Sequence, residues 1–212
     1  MTFLEFHQLI SQDSLIYSWI RKNFSFVHQE LEAGKELKMQ HEQLIIMEKG
    51  LLIQKSEEDK KLTFQRVFAD QRIIFTTGGS LTLGALEDTV YSVIPTDELF
   101  EKLDEHQLLP NFFLQIAEDF EVSIEWQRKL MSAYPEERVR MVLRKVIERY
   151  KLDPVHNPVF PRWLKIYVLA KFAKCSVSTT SMIVNDLAEK GEINVKMTPW
   201  ILMQDSPAYC VS

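Results

Sequence analysis

Two short stretches near the C-terminus carry apolar residues at helical spacing, with a polar turn between them. The recurring positions are Ile166, Leu169, Ala170 and Ala173 in the first stretch and Thr180, Ile183, Val184 and Leu187 in the second. Ser176 is placed to cap the second helix, and Gly191 is placed to end it in a left-handed conformation. The pattern therefore predicts a helix-turn-helix.

The opposite face of the second helix carries no charge. It presents Val177, Ser178, Ser181, Met182 and Asn185. Exposed helix faces are usually filled with charged residues. Small hydroxyls, an amide and apolar groups suit the base edges and thymine methyl groups of a DNA groove. The face predicts a DNA-reading helix, and the alternative is a helical hairpin that is packed on both faces.

Between Phe26 and Ile94 the pattern changes to short apolar or β-branched segments separated by turn residues. The segments are residues 26–28, 36–37, 44–47, 51–54, 62–68, 73–75 and 89–94, and the turns are residues 33–34, 48–50, 57–59 and 78–79. This spacing predicts an all-β barrel, roll or sandwich. Residues 3–24 carry an apolar stripe with the period of a helix and are expected to pack against this domain.

Thr96 is expected to cap the next helix, and a much longer helical run follows from Asn111 to Ala133. Its stripe consists of Phe113, Ile116, Phe120, Ile124, Gln127 and Met131, in steps of three or four. More than twenty residues make about 30 Å of helix, which is long for a small β-domain. The run predicts a dimerisation helix packed against its symmetry mate. The alternative is a long core helix of a monomer.

Pro135 marks the clearest boundary, because it ends the long helix and suits the first turn of the next. A proline-rich loop covers residues 152–161, and residues 194–203 read as two short strands around a turn. A helix-turn-helix followed by such a hairpin is a winged helix. The predicted domains are a sensor-like roll at 1–107, a dimerisation helix at 108–134 and a DNA-binding domain at 135–212.

The net charge of −5 is unevenly distributed along the chain. Residues 135–212 contain 12 Lys or Arg and 8 Asp or Glu, whereas residues 1–134 contain 13 and 22. This asymmetry predicts that only the C-terminal part meets a polyanion. There is no apolar run long enough for a membrane span and no signal-peptide pattern, and only two cysteines occur. We therefore expect a cytoplasmic protein with no membrane partner.

No group of residues has the spacing of a catalytic or metal site. The five histidines are scattered, and no Walker loop, nucleophile elbow or dinucleotide glycine motif occurs. Cys175 falls in the turn of the helix-turn-helix and is expected to be a buried small hydrophobe. We expect neither enzymatic activity nor a metal or cofactor.

The order of β-roll, long helix and winged helix-turn-helix resembles the Crp/Fnr-type transcription regulators over nearly the whole chain. Residues 32–35 resemble an early turn of that family, and residues 45–53 resemble its hairpin with Gly50. Pro135 to Val139 with Leu143 resembles the family's helix opening, and residues 174–193 resemble its helix-turn-helix signature. The resemblance implies an α+β fold with a cyclic-nucleotide-binding-like β-roll, a dimerisation helix and a winged helix-turn-helix.

One departure concerns the effector. Family members that bind a cyclic nucleotide carry a glycine-glutamate pair, a short helix and an arginine between two roll strands. The corresponding residues 76–89 are too few and include no arginine. A buried phosphate would lack its guanidinium partner, so we expect no cAMP dependence. The N-terminal cysteines of an iron–sulfur sensor are also absent, and the chain looks similar to the cAMP-independent, PrfA-like branch.

A second departure concerns base reading. Where the family usually has arginine or glutamate, this chain has Val177, Ser178 and Met182. Without arginine, bidentate reading of guanine is lost, so specificity would come from Ser178, Ser181, Asn185, methyl contacts or DNA shape. The expected phosphate contacts are Arg162, Lys165, Lys174, Ser176, Thr179 and Lys196.

The resemblance implies a homodimer on double-stranded DNA, with two recognition helices in successive major grooves about 34 Å apart. RNA polymerase and a small-molecule effector of unknown identity are the further partners that it suggests. The rival hypothesis is a protein-interaction or sensory module whose degenerate helix-turn-helix does not read DNA. The uncharged recognition face is the feature that supports this rival.

Overall fold

The computed structural model describes residues 15–40, 42–55, 64–76 and 80–203. The chain divides into two compact units, Met1–Glu125 and Trp126–Ser212. The division falls inside a long helix, Leu109–Ser132. Within the described ranges, no helix is both long and apolar enough to cross a membrane.

The first unit is built on eight strands that form two four-stranded antiparallel sheets. The strands are β1 (Gln29–Leu31), β2 (Glu36–Met39), β3 (Gln43–Lys49), β4 (Leu52–Lys55), β5 (Phe64–Phe68), β6 (Arg72–Ile74), β7 (Leu81–Ala85) and β8 (Thr89–Pro95). Their order is β1-β8-β3-β6 in one sheet and β2-β7-β4-β5 in the other. The predicted β-roll is confirmed.

In the described part of the chain, three helices accompany the roll, and β3 shows how the layers stack. They are α1 (Leu15–Asn23), α2 (Thr96–Glu105) and α3 (Leu109–Ser132). Ile45 and Met47 of β3 belong to the core shared with the second sheet. Leu44 and Ile46, one residue out of phase, pack with apolar residues of the three helices. Because both faces of β3 are covered, its apolar run is continuous and does not alternate.

The sequence analysis missed β7, which pairs with β2 and β4 in the middle of the second sheet. All five residues from Leu81 to Ala85 are buried. Leu81, Leu83 and Ala85 alternate with Thr82 and Gly84, and the three apolar residues lie in the core between the two sheets. The residues between Phe75 and Val90 thus include a strand that the pattern of apolar segments did not predict.

Two boundaries also differ from the prediction. Thr96 is the first residue of α2 and not its cap, because Pro95 occupies the capping position and no side chain bonds there. The first strand is Gln29–Leu31, three residues after the predicted 26–28. The predicted helical residues 3–14, the turns at 57–59 and 78–79 and part of the predicted strand at 62–68 lie outside the described residues.

The second unit packs three helices and a small hairpin around one core. The elements are α4 (Pro135–Tyr150), α5 (Ile166–Phe172), α6 (Val177–Glu189), β9 (Ile193–Asn194) and β10 (Ile201–Leu202). Leu143 of α4, Leu169 of α5, Leu187 of α6 and Leu202 of β10 are all buried in this core. Burial of each such side chain contributes about 1.5–3 kcal/mol, so the core holds α6 against α4 and α5.

Gly50 ends the turn between β3 and β4, and the fold requires glycine there. Its φ is +118°, and its N–H donates to Asp70 Oδ1 over 2.6 Å. A Cβ at this position would lie 2.8 Å from Thr89 Cα. Gly34 also has a positive φ, +86°, but a Cβ there would meet no atom within 4 Å. Among the glycines of the described residues, Gly50 alone is therefore constrained by both its backbone conformation and the space around it.

We predict that Gly50→Ala lowers the free energy of unfolding by about 2–5 kcal/mol, because backbone strain and a clash with β8 add together. Gly34→Ala is the matched control and should cost about 1–2 kcal/mol, from conformation alone. Urea unfolding of the full chain, followed by circular dichroism, measures both. Equal losses in the two variants would contradict the role given to Thr89.

Candidate nucleic-acid interface

The turn between α5 and α6 is fixed by the way α5 ends. Lys174 has a left-handed backbone, with φ +52°. The N–H of Cys175 donates to Ala170 O over 3.0 Å, and the N–H of Lys174 donates to Lys171 O over 3.3 Å. These two bonds form a Schellman motif, which closes a helix and redirects the chain. The helix-turn-helix signature that residues 174–193 resemble begins with glycine, where this chain has Lys174.

Ser176 begins α6 as predicted. Its Oγ accepts the N–H of Thr179 over 3.0 Å and lies 2.9 Å from Ser178 Oγ and 2.7 Å from Thr179 Oγ1. The Ser176 carbonyl accepts the buried hydroxyl of Thr180 over 2.9 Å. Ser176 thus bonds the backbone of Thr179 through its side chain and the hydroxyl of Thr180 through its carbonyl. These bonds fix the start of α6.

Gly191 ends α6 with φ +74°, as the sequence predicts. The N–H of Glu192 donates to Leu187 O, and the Glu192 carboxylate accepts hydrogen bonds from Arg140 Nη1 and Nη2 over 2.8 and 3.0 Å. Both side chains are largely buried. This bidentate pair ties α4 to the segment that follows α6.

The guanidinium of Arg138 connects the end of α3 to the turn before α6. Nε donates to Ala133 O over 2.8 Å, Nη2 donates to Met131 O over 3.2 Å, and Nη1 donates to Lys174 O over 3.4 Å. The last carbonyls of helices lack intrahelical donors, and a cation is favoured beside them. The Arg138 guanidinium supplies these donors and is also a cation, so it positions the turn relative to the end of α3.

The outer face of α6 contains the predicted base-reading residues. Val177 and Met182 are 55% and 67% exposed, and Ser178 and Asn185 are also exposed. Ser181 is half-buried. The inner face is buried, with the predicted Thr180, Ile183, Val184 and Leu187 in the core. The structure therefore has one free face on α6 and excludes a hairpin packed on both faces within the described residues.

The predicted phosphate contacts belong to several segments of the second unit. Arg162 is exposed in the loop before α5, and Lys165 is exposed at the N-cap of α5. Lys196 is exposed in the turn between β9 and β10. Lys174 is half-buried, and this burial lowers the pKa of its ammonium group. Ser176 and Thr179 share the hydroxyl network at the start of α6.

Two exposed side chains were not singled out from the sequence. Tyr167 projects from α5, and Met197 lies in the turn of the hairpin, which forms the wing. Tyr167 falls outside the apolar stripe of its helix, so the helical period could have predicted that it is exposed. Cys175 is half-buried and not fully buried as predicted; burial raises the pKa of its thiol, which Arg138 partly offsets.

The remaining predicted site residues belong to α3. Phe113, Phe120, Ile124, Gln127 and Met131 are exposed, whereas Ile116 packs against the core of the first unit. Ala117 is exposed and takes the place of Ile116 in the stripe. The spacing then becomes 4, 3, 4, 3 and 4, which is the period of a coiled-coil seam.

No protein-family model matches the sequence, and no curated protein matches it either. Solved structures do match. FixK2 from Bradyrhizobium japonicum shares 13% identity and a TM-score of 0.69, with 85% of this chain and 93% of that chain covered. A putative Crp/Fnr-family transcriptional regulator from Eubacterium rectale shares 12% identity and a TM-score of 0.68, with 92% and 93% covered.

A cyclic nucleotide-binding domain containing protein from Listeria monocytogenes shares 15% identity and a TM-score of 0.65, with 90% of this chain and 97% of that chain covered. All three likenesses extend over both compact units. The chain therefore has the fold of Crp/Fnr transcription regulators, with a cyclic-nucleotide-binding-like β-roll followed by a helix-turn-helix unit.

Proposed function

We propose that this protein is a sequence-specific, DNA-binding transcription regulator that acts as a homodimer and does not depend on cAMP, as in the PrfA-like branch. The observation that carries the proposal is the outer face of α6. A capped helix of a helix-turn-helix presents exposed, uncharged side chains, and the segment around it, residues 135–212, has a net charge of +4. Such a face suits base edges, and such a charge suits phosphates.

Independence from cAMP is supported by the chain between β6 and β8. Its described residues form β7 and short connections, without a helix. Residues 75–90 include no arginine. A cyclic phosphate in this part of the roll would have no guanidinium partner from that segment.

We predict that random-site selection with the purified full chain, at low salt and without cAMP, enriches a near-palindromic pair of half-sites. Their centres should lie about 10 base pairs apart or a multiple of that distance, and added cAMP should leave the affinity unchanged. Val177→Glu with Met182→Glu should abolish enrichment, because carboxylates on the groove face repel DNA. Val155→Glu, on an exposed loop, is the control. Selection that enriches no sequence would favour the interaction-module hypothesis.

At Lys174, the effect of a substitution on the stability of the chain can be separated from its effect on DNA affinity. We predict that Lys174→Gly stabilises the chain by about 1 kcal/mol, because it relieves a left-handed backbone. The same change should reduce the slope of log K against log salt by about 1 per protomer, because it removes a phosphate contact. Lys174→Ala should reduce the slope without the gain in stability. An unchanged slope in both variants would show that Lys174 does not contact a phosphate.

The homodimer is supported by the exposed seam of α3. Phe113, Phe120, Ile124 and Met131 lie along it at heptad spacing, separated by Ala117 and Gln127. An exposed apolar stripe of this length is rare on monomers, and heptad spacing is typical of helices that pair. We place the dimerisation segment at 108–134, between the roll at 1–107 and the DNA-binding domain at 135–212.

Ile124 gives the sharpest test of the seam, because the ring of Phe120 also lies 3.9 Å below the Arg66 guanidinium. Ile124 is 62% exposed, and Val122, on another side of the helix, is 68% exposed. We predict that Ile124→Glu weakens dimerisation by at least about a hundredfold, because two carboxylates would face each other in the interface. Val122→Glu should leave the dimer intact. Light scattering over a dilution series measures both, and a dimeric Ile124→Glu variant would move the interface elsewhere.

A further inference from the structure

The outer face of α6 offers few groups that can tell one base pair from another. Val177 and Met182 are its most exposed apolar side chains. Asn185 is exposed, and its side chain has no hydrogen bond or ion pair with another described residue. These three side chains are available to a ligand.

The hydroxyls of the face are less available. Ser178 Oγ lies 2.9 Å from Ser176 Oγ, which also receives the Thr179 N–H. Ser181 is half-buried. A serine hydroxyl has one proton and two lone pairs, so the bond to Ser176 occupies part of the capacity of Ser178. The hydroxyls therefore add less selectivity than Asn185.

Charged groups that read G·C pairs are absent from the first three turns of this face. Guanine is read by bidentate Arg or Lys, and cytosine by Asp or Glu. Among the acids of α6, Asp186 is paired with Lys190 over 2.6 Å. Glu189 lies in the last turn of α6, whereas helix-turn-helix proteins contact bases mainly with the N-terminal residues of this helix.

The surroundings of the face favour a nucleic acid over an apolar protein partner. Arg162, Lys165 and Lys196 are exposed on the segments that precede and follow the helices, and the net charge of residues 135–212 is +4. A phosphate backbone matches such exposed basic residues. Val177 and Met182 would then meet the apolar part of the groove, which is the thymine C5-methyl group.

On the basis of the proposed function, we propose that this protein reads A·T-rich half-sites, with thymine methyl groups against Val177 and Met182 and adenine against Asn185. Methyl contact identifies thymine without any hydrogen bond. The Asn185 amide can donate to adenine N7 and accept from its N6 amino group. The two modes together distinguish A·T from G·C pairs with no charged residue.

Uracil gives a direct test, because it differs from thymine only by the C5-methyl group and pairs in the same way. A duplex from the random-site selection is resynthesised with uracil at single half-site thymines, and affinity for the full chain is measured by fluorescence anisotropy at fixed salt. Removal of one buried methyl should weaken binding about fourfold, and removal of its symmetric pair about fifteenfold.

Variants assign each effect to a side chain. Met182→Ala or Val177→Ala should remove the difference between thymine and uracil at one position of the half-site. Met203→Ala and Val155→Ala change exposed apolar residues outside α6 and should preserve the difference. Asn185→Ala should remove the sensitivity to 7-deaza-adenine, which lacks the N7 acceptor.

The outcomes separate this inference from the proposed function. Enrichment of G·C-rich half-sites would overturn it while leaving a DNA-binding regulator. An A·T-rich site that is insensitive to uracil would also overturn it, because shape and not methyl groups would then be read. Selection that enriches no duplex would reject the proposed function, and the inference with it.

Discussion

The hydrogen bonds from Arg138 hold the turn before α6 against the end of α3. One guanidinium binds the Met131 and Ala133 carbonyls at the end of α3 and the Lys174 carbonyl in the turn before α6. Arginine can do this because its donors are held in a rigid planar fork. In the proposed homodimer, these partly buried bonds would help to set the distance between the two copies of α6, and with it the spacing of the half-sites on DNA.

The parts of the fold that the sequence predicts are those that local rules decide. The helix-turn-helix follows from apolar spacing, from the Ser176 cap and from the left-handed Gly191, and all three are present in the structure. Most roll strands follow from short apolar segments between turns. β7 was missed although Leu81, Leu83 and Ala85 alternate with Thr82 and Gly84. The segment is short, and Gly84 resembles a turn residue, so local rules did not separate it from a loop.

The sequence predicts which residues lie on the exposed face of α6, but it does not predict the contacts that hold this helix in place. The outer face of α6 could be listed from helical period alone, since the buried face fixes the exposed one. The ion pair of Arg140 with Glu192 joins residues 52 positions apart, and the Arg138 bonds join a side chain to carbonyls in two other elements. No periodicity encodes such contacts, because they depend on how the elements pack. Packing also decides that Ala117, and not the predicted Ile116, lies in the α3 seam.

Lys174 is unfavourable for its position in two ways, in backbone conformation and in burial of its charge, and glycine would avoid both. Its backbone is left-handed, and burial lowers the pKa of its ammonium group. Left-handed conformation alone signals little, because Gln107 and Lys151 end other helices in the same way. Lys151 is exposed, whereas Lys174 is half-buried, so burial sets Lys174 apart. A half-buried cation that precedes α6 would gain favourable energy from a nearby phosphate, and this supports the proposed role of Lys174 as a phosphate contact.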